Sequence, residues 1–354
     1  MFKSIKQLNF PKTPLKRRIL YNFHSFLHLS RIDIILAHTI DADGAVILGY
    51  HSVASNENKR WIDPSNHIPR DIFEKHMKFL ANNRTVISMD TLINSIKEKK
   101  PLPGGTTVVS FDDGYLDNLT NATPILKKYN LPATIYLATG YIEREENQWI
   151  DQLFTCFNER TKDRLLISEV SEKQIEMNDS ASTWTAYSQI AKYLLVSTYK
   201  QRTYILASIK KQLVPNYNPP KLTMNWDDVR TLVNNNRNIT LGSHTYNHTD
   251  ISRIVNNKII SEIKISTEDI KRETGQSPVH FSCPYSRTAE NLPAILNKLG
   301  YLSSVSDSAD LLINSKSFPY ALGRVTPPVN LSRLAHYTSG NYPGISKLIM
   351  RGRY

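Results

Sequence analysis

The chain has 354 residues, enough for one large domain or two ordinary ones, and its 40 % hydrophobic residues can form a sizeable core. Its formal charge of +12 suits a nucleic acid, an anionic membrane surface or an acidic glycan, but charge speaks to partners and not to fold. The two cysteines, Cys156 and Cys283, lie far apart and in no C-x-x-C pattern. We therefore expect neither a disulfide framework nor a thiolate metal site.

The first 44 residues are predicted to form a basic amphipathic segment ahead of the main domain, residues 45–354. Residues 1–31 contain lysines and arginines but no acidic residue. Residues 17–37 mix apolar side chains with bases at roughly helical spacing, which indicates one or two amphipathic helices. Such a stretch either packs on the domain or lies on an anionic membrane surface.

The first half of the main domain alternates predicted strands with predicted helices. The first strand is "AVILGYHSV" (45–53), a β-branched and aliphatic run entered from a glycine. The elements that follow are a helix at about 69–82, a strand at 85–90, a helix at 91–100 and a strand at 106–111. This alternation predicts βα units and a mostly parallel sheet.

The second half repeats this alternation around a long interruption. The predicted helices are 118–130, 225–235, 261–275 and 291–300, and the predicted strands are 133–139, 238–244, 279–284 and 301–306. Residues 143–222 are polar and aromatic with helical patches and are not rich in Gly and Ser, so we predict a helical insertion rather than a linker. Together the units predict an α/β fold, a distorted or incomplete (β/α) barrel of about seven strands.

Two aspartates, Asp112 and Asp113, end the strand at 106–111 in the stretch "VVSFDDGY". Because successive residues of a strand point in opposite directions, the two carboxylates can take different tasks. One could bind a dication while the other takes a proton from water, and the cation would offset their mutual repulsion. The alternative is a plain turn in which Gly114 supplies a positive φ. These residues alone leave both interpretations open.

Two histidines, His244 and His248, follow the strand at 238–244 with a spacing that can bring both imidazoles to one side. Two imidazoles and one carboxylate match a three-ligand catalytic zinc site, although the spacing alone does not decide for metal binding. The pair His24 and His28 has the same spacing in the basic segment, where no strand-end carboxylate is near. We interpret that pair as residues of a helix surface.

Further polar groups fall at strand ends, where a βα barrel carries its working residues. His51 follows "AVILGY" and could serve as a general acid, or it could be a hydrogen-bonded core histidine. Pro284 and Tyr285 follow the strand "VHFSCP". The barrel would bring these residues, the two aspartates and the histidines His244 and His248 to one face.

The stretches "VVSFDDGY", "LGSHTYNH" and "FSCPYS" occur in an order and at separations that resemble the polysaccharide deacetylase family, the NodB homology domain or carbohydrate esterase family 4. Its motifs are T/S-F-D-D-G, H-S/T-x-x-H and a third that ends in P-Y/G. The likeness covers most of residues 46–328 and implies a NodB-like domain for residues 45–354. "YHSV" and "NQWIDQLF" resemble the branch of bacterial surface-polysaccharide and poly-N-acetylglucosamine deacetylases.

The resemblance implies a role for each matching residue. The implied metal ligands are Asp113, His244 and His248, and the metal is usually Zn²⁺, with Co²⁺ or Ni²⁺ as substitutes. Asp112 would be the general base, and the backbone N–H of Tyr285 would help hold the oxyanion. His51 would protonate the departing amine. The implied substrate is an N-acylated glycan or a lipid-linked sugar, from which an N-acetyl group is removed.

Two features depart from the family pattern. The family usually carries an arginine shortly before the proline of the third motif, where this chain has Phe281, Ser282 and Cys283. Arg324, in "ALGRV", could replace it as the residue that orients the base, or it could be a surface or interface arginine. The letters "LAH" ending at His336 match a late family motif, but they lie in a segment that does not resemble a barrel strand. We therefore favour His51 as the acid.

Other functions remain open at this level. An O-deacetylase or a sugar N-deformylase would use the same water attack, and a glycan-binding pseudoenzyme would keep the pocket without turnover. We expect no nucleic-acid partner, because no basic helix interleaved with stacking aromatics is present. Residues 1–37 could contact an anionic membrane. With neither a signal peptide pattern nor a membrane-length apolar run, we predict a cytoplasmic protein, in part peripheral at the inner membrane.

Overall fold

The computed structural model describes residues 43–306 and 311–340. The predicted amphipathic stretch 17–37, with His24 and His28, lies outside them. The described chain forms two compact units. One consists of Arg60–Asp63 and Trp149–Pro220, and the other contains the remaining described residues, among them Pro64–Gln148. Each unit is considered by itself below.

The larger unit is built on seven parallel strands within the described residues. They are β1 (Ala45–Tyr50), β2 (Thr106–Phe111), β3 (Ala133–Leu137), β4 (Ile239–Ser243), β5 (His280–Ser282), β6 (Ser303–Ser306) and β7 (Leu322–Gly323), and they pair in chain order. After β7, Val325 donates to the carbonyl of Ile47 at 2.8 Å and accepts from the N–H of Gly49 at 3.0 Å. These bonds bring the end of the sheet back to β1, so the predicted α/β barrel of about seven strands is confirmed.

The seven strands are not the seven that the sequence predicts. The stretch 85–90 contains only the short strand Thr85–Val86, which pairs with the start of β2 beside the barrel path. The seventh barrel strand is β7, two residues that pair with the end of β6. Two residues, one of them a glycine, are too few to show the alternating pattern of a strand. A strand this short forms because of the strands beside it, so the sequence does not predict it.

Helices cover the barrel. In chain order they are α1 (Arg70–Asn83), α2 (Met89–Glu98), α3 (Thr123–Lys128), α4 (Thr139–Glu143), α8 (Trp226–Asn235), α9 (Asn256–Thr274), α10 (Leu292–Lys298) and α11 (Leu331–Tyr337). The three helices between α4 and α8 belong to the smaller unit and are described with it. The predicted helix 118–130 is divided into a π-helical turn, Asn118–Ala122, and α3. Pro124 explains the division, because it lacks the N–H that would bond to the carbonyl of Thr120 in a continuous α-helix.

The smaller unit is mainly helical. It contains α5 (Trp149–Asn158), α6 (Ser180–Leu195), α7 (Tyr199–Leu213) and an antiparallel pair of short strands, Arg164–Leu165 with Ile175–Glu176. Its buried centre includes polar groups: the Tyr187 hydroxyl donates to Asp63, and the Asp63 N–H donates to Asp151 at 2.8 Å. The limits 143–222 for a helical insertion stay a prediction.

The barrel core includes a buried histidine among aromatic rings. The Tyr50 ring packs on Phe73 and Phe111 at centroid distances of 5.2 and 5.5 Å, and its hydroxyl lies 3.2 Å from His76 Nδ1. Burial lowers the pKa of His76 to about 4, against a weaker opposing hydrogen bond to the Val329 backbone.

Among residues 43–306 and 311–340 no helix has the length and apolarity needed to cross a bilayer.

His76 should make stability fall in mild acid. Because its pKa is lowered in the folded state, the unfolded chain takes up a proton at pH values where folded His76 is still neutral, so stability is lost as the pH falls from about 6.5 toward 4. The contribution lost between pH 7.5 and 5 is about 2 kcal/mol. In urea unfolding at both pH values, His76→Gln should show a smaller loss than the wild type. Equal losses in the two proteins would contradict this assignment.

Candidate active site

The two aspartates lie directly beyond the carboxyl end of β2. The Asp112 N–H donates to the Tyr50 carbonyl at 3.0 Å, which continues the β1–β2 ladder by one residue. Asp113 and Gly114 then take left-handed conformations, with φ of 74° and 78°. The predicted turn is therefore present, with a positive φ at Gly114. Both aspartates are nevertheless buried, at 2 % and 4 % exposure, so the turn directs its carboxylates into the protein.

The histidine pair His244 and His248 lies beyond the carboxyl end of β4. Their ring centroids are 4.7 Å apart, and their Nε2 atoms lie 3.7 and 3.3 Å from Asp113 Oδ1. His244 Nδ1 lies 2.7 Å from the Ser282 carbonyl. Because a carbonyl only accepts, Nδ1 carries the proton and Nε2 keeps its lone pair on the side of Asp113.

Asp113, His244 and His248 could hold a divalent cation. Each is buried, and one ligand atom from each lies within 4.8 Å of the others. One carboxylate oxygen and two imidazole nitrogens fit the donor preferences of zinc in a catalytic site. Burial lowers the pKa of His244, against the opposing charge of Asp112, and so favours the neutral form that a metal ligand requires.

Arg324 follows β7 and binds Asp112 at two points. Its Nη1 and Nη2 donate to Oδ1 and Oδ2 at 2.8 and 2.5 Å, and Nη2 also donates to the Ser282 hydroxyl at 3.1 Å. Burial opposes ionisation of Asp112, but the charge of Arg324, together with its hydrogen bonds, outweighs burial and holds the pKa well below its ordinary value. Asp112 is thus an ionised, oriented carboxylate across the neutral range.

Two glycines leave room for Arg324 inside the barrel. Its guanidinium lies 5.8 Å from the ring centroid of Tyr136, and a Cβ at Gly49 would lie 3.4 Å from Arg324 Cζ. A Cβ at Gly242 would lie only 2.3 Å from Tyr136 Cδ1. A Cβ at Gly242 would therefore displace the Tyr136 ring, whereas a Cβ at Gly49 would make van der Waals contact with the guanidinium.

His51 and Tyr285 complete the cluster. His51 Nε2 lies 3.9 Å from Asp112 Oδ2 with the side chain one-third exposed, and desolvation lowers its pKa against the charge of Asp112. Pro284 begins the 3₁₀ turn Pro284–Ser286, in which Tyr285 has a φ of 57°. The Tyr285 ring packs against that of His248 at 4.5 Å. The barrel thus brings together every predicted site residue, from His51 to Arg324.

His336 lies elsewhere. It is part of α11, whose last turn is tied to the end of α1: Arg84 donates to the Thr338 hydroxyl at 3.0 Å and to the Ala335 carbonyl at 2.8 Å. The segment is a helix, as its lack of a strand pattern suggested.

Comparison with known proteins decides the family. The sequence model described as polysaccharide deacetylase matches residues 99–303, more than half of the chain. The chain belongs to the polysaccharide deacetylase family. The resemblance that the sequence motifs carried is thus confirmed.

One curated relative is YxkH of Bacillus subtilis (strain 168), whose name provisionally calls it a polysaccharide deacetylase. The two proteins are 31 % identical over an alignment of 144 residues, which covers 38 % of this chain and 49 % of YxkH. The chain thus covers about half the length of that relative.

Solved structures share the fold at low sequence identity. The deacetylase PplD of Streptococcus pyogenes, in complex with acetate, aligns with a TM-score of 0.55 and 15 % identity over 84 % of this chain and 98 % of PplD. IcaB of Ammonifex degensii gives 0.54 and 16 % over 83 % and 98 % of the two chains. A de-N-acetylase of Aggregatibacter actinomycetemcomitans gives 0.52 and 17 % over 83 % and 99 %.

The sequence motifs of this deacetylase do not reveal the residues that support its histidines. Asn247, between the two histidines, donates its N–H and Nδ2 to Glu262 of α9 at 2.8 and 3.0 Å and accepts from Arg144 Nη1 at 3.1 Å. Ser282 acts on His244 through its carbonyl, a group that every residue has. Asn247 could have been suspected from its place inside the motif, but Glu262 and Ser282 carry no signal in the sequence.

We expect the wild-type protein to bind one equivalent of Zn²⁺, or of Co²⁺ as a spectroscopic probe, with its three ligands. His244→Ala or Asp113→Ala should lower metal affinity by at least tenfold, because each removes one donor. Equilibrium dialysis and the Co²⁺ absorption spectrum measure this. His51→Ala is the matched control and should keep the metal; equal loss in the control would contradict the three-residue set.

Proposed function

We propose that this deacetylase hydrolyses the N-acetyl group of an amino sugar in a bacterial surface or exopolysaccharide or in its precursor, with a divalent cation, first of all Zn²⁺, or Co²⁺ or Ni²⁺. The observation that carries the proposal is the pair of differently held carboxylates. Asp112 is bound by Arg324, whereas Asp113 faces His244 and His248. This difference supports the role of one carboxylate as a base and of its neighbour as a metal ligand.

The relatives support removal of an acetyl group from nitrogen. The Aggregatibacter protein with this fold is named a de-N-acetylase, and PplD was solved with acetate, the acid that deacetylation releases. The family match covers the strand ends that carry Asp112, Asp113 and both histidines. An O-deacetylase or an N-deformylase would differ in the substrate and not in these residues.

Asp112 acts as the general base. Asp113, His244 and His248 would hold the cation, which when bound lowers the pKa of a water and draws electron density from the acyl carbonyl. The low pKa of Asp112 makes it a weak base, so it would take a proton only from a water whose own pKa is lowered. Arg324 keeps both oxygens of Asp112 fixed during this step, because its planar fork holds them at two points.

Tyr285 and His51 act on the tetrahedral intermediate and its collapse. The water oxygen bonds to the acyl carbon, and the backbone N–H of Tyr285 stabilises the resulting oxyanion. The lowered pKa of His51 makes it neutral at rest, so it must first gain a proton. Asp112, 3.9 Å away, holds the one taken from water. Protonated His51 gives that proton to the nitrogen as the C–N bond breaks, leaving a free amine and acetate.

The location of the protein stays a prediction. The proposed contact between residues 1–37 and an anionic membrane lies outside the described residues. A cytoplasmic or peripheral location would place the enzyme near lipid-linked precursors, whereas an exported form would meet the finished polymer.

Asp112→Asn should keep the metal and lose activity by two orders of magnitude or more, because an amide cannot accept the proton. Acetate release from N-acetylated glucosamine oligomers, with metal content measured on the same sample, tests this. O-acetylated oligomers serve as the substrate control. Full activity of the variant would remove Asp112 from the mechanism.

Arg324→Lys should lower kcat by about tenfold to a hundredfold with little change in KM. Lysine keeps the charge but lacks the planar fork that fixes both oxygens of Asp112. Arg324→Met should be more damaging, because it leaves the buried carboxylate without its partner. Steady-state kinetics with metal saturation separates the two effects. If lysine restored wild-type kcat, the charge of Arg324 alone would suffice and orientation would be unimportant.

A further inference from the structure

The segment that follows β1 and carries His51 is fastened by two neighbouring side chains. Asn118 Nδ2 donates to the His51 carbonyl at 2.8 Å. Asp117 accepts from the Ser52 hydroxyl at 2.5 Å with Oδ2 and from the Val53 N–H at 2.9 Å with Oδ1. Three consecutive residues, 51 to 53, are thus bound by Asp117 and Asn118, which we call the 117–118 clamp.

The clamp is buried, so its bonds have no ready replacement in water. Asn118 and Ser52 are fully buried, and Asp117 is 6 % exposed. Asn118 Nδ2 also lies 3.3 Å from Asp117 Oδ1, which fixes the two side chains relative to each other. A buried polar group that loses its partner destabilises its surroundings more than an exposed one, so the segment 51–53 has one strongly favoured position.

The clamp comes from the same stretch of chain as the general base. Asp117 and Asn118 follow the turn of Asp113 and Gly114 by a few residues, and Asn118 opens the π-helical turn Asn118–Ala122. The Asn118 N–H donates to the Tyr115 carbonyl at 3.0 Å, and its own carbonyl accepts from the Thr123 hydroxyl at 2.6 Å. The backbone that places Asp112 therefore also places the clamp on His51.

We propose that Asn118, with Asp117, is a positioning residue for the acid His51. The clamp fixes the backbone of His51 so that Nε2 remains at the edge of Asp112 Oδ2, the 3.9 Å separation across which a proton must pass. His51 is one-third exposed, and its ring makes no close hydrogen bond to Asp112 that would hold it there. The position of the backbone therefore limits which places the ring can reach by rotation about its side-chain bonds. This inference rests on the proposed role of His51.

A double-mutant cycle tests the proposal. Asn118→Leu keeps a similar volume, adds no charge and removes the donor to the His51 carbonyl. Alone it should lower kcat by about tenfold or more, with KM and metal content nearly unchanged, because misplacement of a reacting group by about 1 Å is this costly. In the His51→Ala background the same change should have almost no further effect on kcat. Asn118→Leu would then act through His51.

Asn121→Leu is the matched control. Asn121 lies in the same π-helical turn and its Nδ2 donates to the Val53 carbonyl at 2.9 Å, so the variant removes one bond of the same kind two residues beyond His51. We expect at most a twofold loss of kcat, equal in both backgrounds. If Asn118→Leu lost the same factor in the wild-type and His51→Ala backgrounds, its role would be structural and the proposal would fail.

A second variant and a measurement without turnover keep the test decisive. If Asn118→Leu does not fold, Asp117→Asn replaces it, because it keeps the shape of the side chain. Its loss of kcat should likewise disappear in the His51→Ala background. The His51 ring signal in the NMR spectrum, assigned by its absence in His51→Ala, should shift or broaden in Asn118→Leu and not in Asn121→Leu. An unchanged signal overturns the clamp, whereas a wild-type protein without deacetylase activity overturns the proposed function alone.

Discussion

The two-point ion pair between Arg324 and Asp112 is the interaction on which the site depends. Both groups are buried, and a buried charge without its partner costs several kcal/mol. The pair therefore forms only if the chain segment after β7 reaches the segment after β2, 212 residues earlier. Closure of the barrel through Val325 and β1 brings Arg324 to this position. Asp112 can therefore stay ionised in the interior only when the barrel closes and brings Arg324 to it.

The same requirement explains residues that have no chemical role. A Cβ at Gly242 would clash with the Tyr136 ring, and a Cβ at Gly49 would contact the guanidinium of Arg324. Tyr136 fills the barrel beneath the guanidinium. Ser282 joins the two halves of the site, since its hydroxyl accepts from Arg324 and its carbonyl faces His244. The interior of the barrel is therefore shaped around one arginine.

The sequence predicts the fold class and the members of the site, because both depend on local patterns. Strand ends that carry "FDDG" and "SHTYNH" can be recognised from spacing and residue type, and the barrel places them on one face. The sequence does not predict β7, whose two residues become a strand only beside β6, while Val325 just after them bonds to β1. For the same reason the sequence leaves two roles open for Arg324, a residue that orients the base or a surface or interface arginine. A contact between residues far apart in the sequence leaves no local pattern. The π-helical turn Asn118–Ala122 has the same sequence pattern as the α-helix predicted for 118–130, so it is not predicted either.

Two adjacent buried aspartates are tolerated because each has a counter-charge of its own. His244 Nε2 lies 3.9 Å from Asp112 Oδ2 and 3.7 Å from Asp113 Oδ1, so the two carboxylates face a common space. Arg324 compensates Asp112 permanently, whereas the compensation of Asp113 would fall to a cation held with the two neutral imidazoles. This division keeps the base ionised whether or not the cation is bound. The charge of Arg324 is a fixed part of the fold, whereas the cation would be an exchangeable charge that serves the reaction.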